Sequence, residues 1–179
     1  MINPIQIIEK YYAPNTELYH VLVQHSEQVR DKAIEIATSH PELNLNKEFI
    51  TGAAMLHDIG IFLCDAPRIH CHGTHQYIEH GYLGADLLRN EGLHDHALVC
   101  ERHTGTGISL EQIISKNLPL PPREMKPVSL EEKVICYADK FFSKTDLNCS
   151  LSIDRIRIML GHHHPDNIII FDEWHQLFS

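Results

Sequence analysis

The stretch Gly52-Ala53-Ala54-Met55-Leu56-His57-Asp58-Ile59-Gly60 is apolar on every side of a helical wheel until it sets an imidazole beside a carboxylate. A segment apolar all round reads as a helix through the middle of a domain, because it keeps no face for water. Asn46 is placed to cap that helix, predicted over Lys47 to His57, and Gly60 to end it. A buried imidazole and carboxylate are costly unless they pair or hold a cation. Adjacent helical residues point about 100° apart, so His57 and Asp58 converge only where the helix is ending. Other helices must surround this one and turn ligand-type side chains toward it.

Outward from this segment the pattern stays helical. Thr16 is placed to cap a long helix to about His40, with Leu18, Leu22, His25, Val29, Ala33, Ile36 and Ala37 on one stripe. Pro4 to Tyr12 reads as a short helix before it. Downstream, helices are predicted at about Glu79 to Asn90, His94 to Thr104 and Ser109 to Lys116. Ser129 with Glu132 forms a capping-box pair opening a helix to about Lys144, and Ser152 to Leu160 and Pro165 to Phe178 supply two more. Ile61 to Ile78 reads as an irregular loop, and Asn117 to Pro127, with four prolines, as an insert. Strand alternation is absent apart from the ambiguous run Asn167 to Phe171. The prediction is an all-α fold: a compact bundle of about eight helices, one unit over residues 1–179, with a motif core over about 20–145 and a helical extension over 150–179.

The chain has 179 residues, 43 % apolar and 22 % charged, enough to bury roughly 70 % of its unfolded surface in one core. No run approaches the roughly 18 apolar residues of a membrane helix, and Met1 to Tyr12 lacks the order of a leader peptide, so no membrane partner is expected. The formal charge of −9 would repel a long nucleic acid. Five cysteines without CxxC spacing fit a reduced, cytoplasmic protein. Apolar faces on the terminal helices leave a homodimer open. The outlying figure is 15 histidines, as many as Lys and Arg together.

Several of these histidines fall on core-facing positions. His25 lies on the stripe between Leu22 and Val29; His80 is followed at i+4 by Gly84, whose missing side chain admits a neighbouring helix. His103 follows Val99 and Cys100, and Asp139 sits one turn after Ile135 and Cys136. With His57 and Asp58 these make six ligand-type residues on five helices, which is how a bundle builds a metal centre.

The order His25, His57-Asp58, His80, His103, Asp139, with the strings GAAMLHDIG, EHGYLGADLL, ERHTGTG and LEEKVICYADKF, resembles the HD superfamily of metal-dependent phosphohydrolases, in its HDIG subgroup and dinuclear branch. The resemblance covers about His20 to Lys144. It implies an HD-type helical fold with the site in its core. It implies that His25, His57, Asp58 and Asp139 hold one metal, and Asp58, His80 and His103 a second, with Asp58 bridging and catalysis depending on it. Imidazole and carboxylate donors suit two divalent transition metal ions, Fe, Mn, Co, Ni or Zn. The implied reaction is attack of a metal-bridging hydroxide on a small nucleotide or related phosphate ester or anhydride. A mixed-valent diiron oxygenase shares this ligand order, and a non-catalytic metal- or nucleotide-binding module is the remaining alternative.

For the phosphate, Lys140 beside Asp139, Arg102 beside His103 and Lys144 one turn further on are the expected contacts, with Arg30 a weaker one. The loop 61–78 and the insert 117–127 are the expected walls, with Lys116, Arg123 and Lys126 as a basic rim. His70, His72 and His75 read as surface loop residues, one of which could protonate a leaving oxygen. His94, His96 and the run His162-His163-His164 read as solvent-facing, outside the site. Trp174, with Ile170, Leu177 and Phe178, reads as the docked face of the last helix.

Overall fold

Side-chain caps decide where the helices begin in the computed structural model, which describes residues 2–179. Thr16 Oγ1 accepts from the Tyr19 amide at 3.3 Å and opens α2 (Glu17–Ser39), which follows the short α1 (Pro4–Ile8). Asn46 Oδ1 accepts from Phe49 N at 3.0 Å and opens α3 (Lys47–Leu56). After α4 (His80–Asn90) and α5 (His94–Arg102), reciprocal capping boxes open α6 (Leu110–Ser115), through Ser109 and Gln112, and α7 (Leu130–Asp139), through Ser129 and Glu132. The chain closes with α8 (Ile153–His163) and α9 (Asp166–Phe178). The described residues thus hold nine α-helices, where about eight were expected, and the fold is all-α apart from two short hairpins. None of these helices is long and apolar enough to cross a membrane.

Two buried clusters form the core. One joins Val29, Ala33 and Ile36 of α2 to Ile50 and Ala53 of α3, Val134 to Ala138 of α7, and Phe171, Trp174 and Phe178 of α9. Of the predicted docking face of the last helix, Trp174 and Phe178 are buried and Ile170 packs against them in part, but Leu177 is exposed, and Phe171 takes the central place instead. A second cluster joins Ile8, Leu22, Leu56, Ile59, Ala85, Leu88 and Cys100. On α2, His25 lies between Leu22 of one cluster and Val29 of the other, so its ring sits at the seam.

Three sequence expectations give way. The helix from Ser129 stops at Asp139 rather than Lys144, and the chain turns back as an antiparallel hairpin, β3 (Phe142–Ser143) with β4 (Asp146–Ser150); Ser143 pairs with Asp146, so Lys144 and Thr145 form its turn. In the loop 61–78, short 3-10 turns flank a second hairpin, β1 (Asp65–Ala66) with β2 (Cys71–His72). Gly60 is not a left-handed stop, since its φ is −86°. It is a contact: a Cβ there would stand 2.3 Å from the His80 carbonyl and 2.5 Å from the Gly84 amide. Gly84 is equally tight, with its Cβ position 2.6 Å from Cys100 Sγ. Together these two glycines let α4 lie directly on the turn after α3 and bring His80 to Asp58. The ambiguous run Asn167 to Phe171 is helical, within α9.

Candidate metal centre

Most of the donor residues stand at helix ends. His57 is the residue after α3 and Asp58 follows it; His103 is the residue after α5; Asp139 is the last of α7 and His80 the first of α4. His25 alone comes from mid-helix. All six are buried. Ring nitrogens and carboxylate oxygens of His25, His57, Asp58 and Asp139 lie within 4.8 Å of one another, and so do those of Asp58, His80 and His103. Asp58 is common to both groups. His25 Nε2 is 3.0 Å from Asp139 Oδ1 and 3.2 Å from Asp58 Oδ2, and His57 Nε2 is 3.0 Å from Asp58 Oδ2. His80 and His103 each place Nε2 3.3 Å from Asp58 Oδ1.

The tautomers follow from the helix ends. Nδ1 of His57, His80 and His103 donates to the carbonyl three residues upstream, those of Ala54, Tyr77 and Cys100, at 2.6, 2.5 and 2.8 Å. A carbonyl only accepts, so in each ring Nδ1 carries the proton and Nε2 turns its lone pair inward. A hydrogen bond from one ring nitrogen to a carbonyl is what orients a histidine to offer the other nitrogen to a metal. Neither oxygen of the fully buried Asp58 receives a well-directed hydrogen bond, and neither does His57 Nε2. Inward lone pairs of several imidazoles around one carboxylate are held by a cation or pushed apart, and Lys144 reaches only Asp58 Oδ2. The buried donor set therefore fits metal binding, with no thiolate among it.

Without an ion the rings differ in charge: His57 takes a second proton, on Nε2, which a metal would displace, and His103 stays neutral. Burial lowers the His57 pKa, but the carboxylates of Asp58 and Asp139 outweigh it and lift it to about 9. Burial dominates at His103 and holds it at about 4, an uncharged acceptor. Burial alone would raise the Asp58 carboxyl; Lys144 and His57 overcome it, and it lies well below the usual range. Asp139 is lowered against burial in the same way, by Lys140 and His25.

Lys144 Nζ lies 2.6 Å from Asp58 Oδ2, delivered by the turn of the β3–β4 hairpin and not by a helix. Lys140 Nζ lies 2.6 Å from Asp139 Oδ2 and donates to the His103 carbonyl at 2.9 Å. Both line a cavity of about 620 Å³ that opens on His80, His103 and Asp139. Arg102 does not line it. Its guanidinium turns to the buried Glu132 carboxylate, at 2.9 and 3.2 Å, since consecutive helical residues point about 100° apart and His103 takes the direction of the cavity. Of the expected basic rim only Lys116 lines the cavity; Arg123 pairs with Glu101 and Lys126 with Glu124. His70, His72 and His75 do not line it either, and His75 is bonded to Glu79 at 3.1 Å. Arg30 pairs with Asp31 at 2.8 Å. The insert does supply a wall through Leu118.

Among the lining residues that the sequence does not point to are Arg68, Tyr77, His163 and His164. The histidine run was set aside as a helix end, and the fold of α8 against the cavity mouth is what brings two of its members in. His96 is half buried, edge-on to Phe49 with ring centroids 4.9 Å apart, and does not face solvent alone.

The family described as HD domain matches residues 22–143. The chain belongs to it. This HD domain is 34 % identical over 165 residues to an uncharacterized protein of Methanocaldococcus jannaschii, covering 88 % of the chain and 90 % of that protein. It is also similar to two proteins named tRNA (cytidine(56)-2'-O)-methyltransferase. The one from Thermoplasma volcanium is 34 % identical over 68 % of the chain, and that from Picrophilus torridus 29 % over 69 %. The aligned part spans 32 % of each methyltransferase, so the likeness concerns one portion of those longer proteins. No solved structure matches.

Proposed function

We propose that this HD domain is a dinuclear phosphohydrolase of the HDIG type, cleaving a small phosphorylated substrate, a nucleotide or related ester or anhydride. The observation that carries the reading is the convergence of four imidazoles and Asp139 on Asp58, with both Asp58 oxygens short of directed donors. His25, His57, Asp58 and Asp139 would hold one divalent ion, and Asp58, His80 and His103 the other. Such ions supply Lewis-acid activation of water and of the phosphoryl oxygens.

The chain's own groups do the rest. An ammonium has three donors. Lys140 spends two on Asp139 and the His103 carbonyl and keeps one for the cavity; Lys144 is ion-paired with Asp58 at 2.6 Å without a directed hydrogen bond to it. These remaining donors would hold phosphate oxygens against the centre and neutralise charge that builds up there. Ile156, Met159 and Leu118 line the remainder of the cavity and would keep water from the leaving portion of the substrate. All five cysteines are free thiols, which supports a cytoplasmic setting.

Elemental analysis of protein purified without added metal, followed by a screen of phosphorylated metabolites over several divalent metals, tests the reading. Two ions per chain and release of phosphate or a nucleotide are expected. Oxygen uptake by iron-loaded protein with C–C or C–P cleavage, or a protein that binds no metal, overturns it.

A further inference from the structure

The chain carries a formal charge of −9, yet its main cavity reverses that sign. Four of the 15 Lys and Arg residues line it, Arg68, Lys116, Lys140 and Lys144, against one of the 24 carboxylates, Asp139. Such focusing selects an anionic occupant. Three of the four cations already have partners: Lys140 holds Asp139, Lys144 holds Asp58, and Lys116 donates to the His163 carbonyl at 3.0 Å. Arg68 has no ion-pair or hydrogen-bond partner among the described residues.

Arg68 also stands on a fixed base. It lies in the single turn Pro67–Ile69 that joins β1 to β2, between the rigid Pro67 and the buried side chains of Ile69 and Cys71. The loop is stitched by its backbone: Asp65 N donates to the His75 carbonyl, Gly73 N to that of Cys64 and Thr74 N to that of Leu63, at 2.8 to 3.0 Å. A Cβ on Gly73 would stand 2.1 Å from the Leu63 carbonyl, so the hairpin closes only with glycine there. A guanidinium on such a base has side-chain freedom alone to lose on binding, and its planar fork matches an oxyanion with two parallel hydrogen bonds.

Resting on the phosphohydrolase reading above, we propose that Arg68 is a specificity-determining residue that binds a second anionic group of the substrate, a phosphate or a carboxylate, while the scissile phosphate lies at the Asp58 cluster. The substrate then carries two oxyanions separated by a portion that fits the apolar walls. Esters with a single oxyanion group lack the second contact and bind less well.

The test compares pairs of esters differing by one further phosphate, and pairs differing by one carboxylate, with wild-type protein and with Arg68→Ala. The wild type is expected to favour the member with the further oxyanion group, and Arg68→Ala to lose about 10- to 100-fold in kcat/KM on it, mostly through KM, with little change on the member that lacks it. The pair that shows the loss identifies the group. Arg68→Lys should restore part of it. Equal effects on both members, or none on either, overturn the assignment. Titration calorimetry of tripolyphosphate against chelator-treated protein reads the contact without turnover: about tenfold weaker binding to Arg68→Ala is expected. Equal affinities there reject the role of Arg68 even if hydrolysis is found, whereas weaker binding upholds it even if no ester is cleaved.

Discussion

His80 and His103 hold their Nε2 atoms 3.1 Å apart, although the Nδ1 proton of each is committed to a carbonyl of its own chain segment. Two lone pairs at that distance repel unless a cation shares them, and Asp58 Oδ1, 3.3 Å from both, completes a three-donor corner. His103→Ala should therefore lower the metal content from two ions per chain to one, with activity down about a hundredfold or more. Elemental analysis beside the rate separates loss of the second ion from loss of the fold.

Asp58→Ala removes the carboxylate common to both groups and leaves Lys144 and His57 with Asp139 as their remaining nearby counter-charge. Both ions should be lost and hydrolysis should fall by at least about a thousandfold, as for groups that act as one unit. Circular dichroism should retain the helical spectrum. A variant that keeps two ions would remove Asp58 from the bridging position.

Gly60→Ala forces a methyl into the His80 carbonyl. Overpacking of this kind costs about 1–3 kcal/mol, so the melting temperature should drop by roughly 2–12 °C in a chain of this size. Because the strained contact lies on His80 itself, the ion held by His80 and His103 should dissociate more readily in a chelator titration than the other.

In chelator-treated protein the pH profile of stability carries the mark of His57. Its folded pKa of about 9 lies above the ordinary 6.5. The protonated ring thus contributes fully below about pH 6.5, and that contribution disappears as the pH climbs through 9. Melting temperature should fall across this window, and protons should be released when metal is added back at pH 7. A level profile with no proton release would contradict the charge balance of the cluster.

Arg102→Ala separates a structural arginine from a substrate contact. Its loss leaves the buried Glu132 with only the backbone amides of Val128 and Ser129. Stability should decrease by about 1–3 kcal/mol in urea unfolding, while kcat/KM stays within a factor of about two.

The helices and the donors were legible because each has a local cause. Thr16, Asn46 and the Ser129–Glu132 pair announce their helices by chemistry acting over three residues, and the donors lie on apolar stripes where imidazole and carboxylate are conspicuous. The β3–β4 hairpin was illegible: Ser143-Lys144-Thr145-Asp146 carries no Asn-Gly or Asp-Gly signal, and the helix pattern before it gives no reason to stop at Asp139. Helical spacing puts Lys144 one turn past Lys140, a position it does not occupy, and it reaches Asp58 from the hairpin turn instead. Arg102 shows the opposite failure, since being next to His103 in sequence places it on a different side of α5. Arg68 and Tyr77 could not be found because the loop that carries them has no period; only its tertiary stitching points them at the cavity.

Helices fray from their termini, and three of them end at this centre, at His57, His103 and Asp139. A bound ion would fasten together the turns that otherwise open first, so occupancy should be recorded in hydrogen exchange at the last amides of α3, α5 and α7 before it alters anything in the middle of those helices. The metal would then serve as a rivet for the fold as well as the seat of its chemistry.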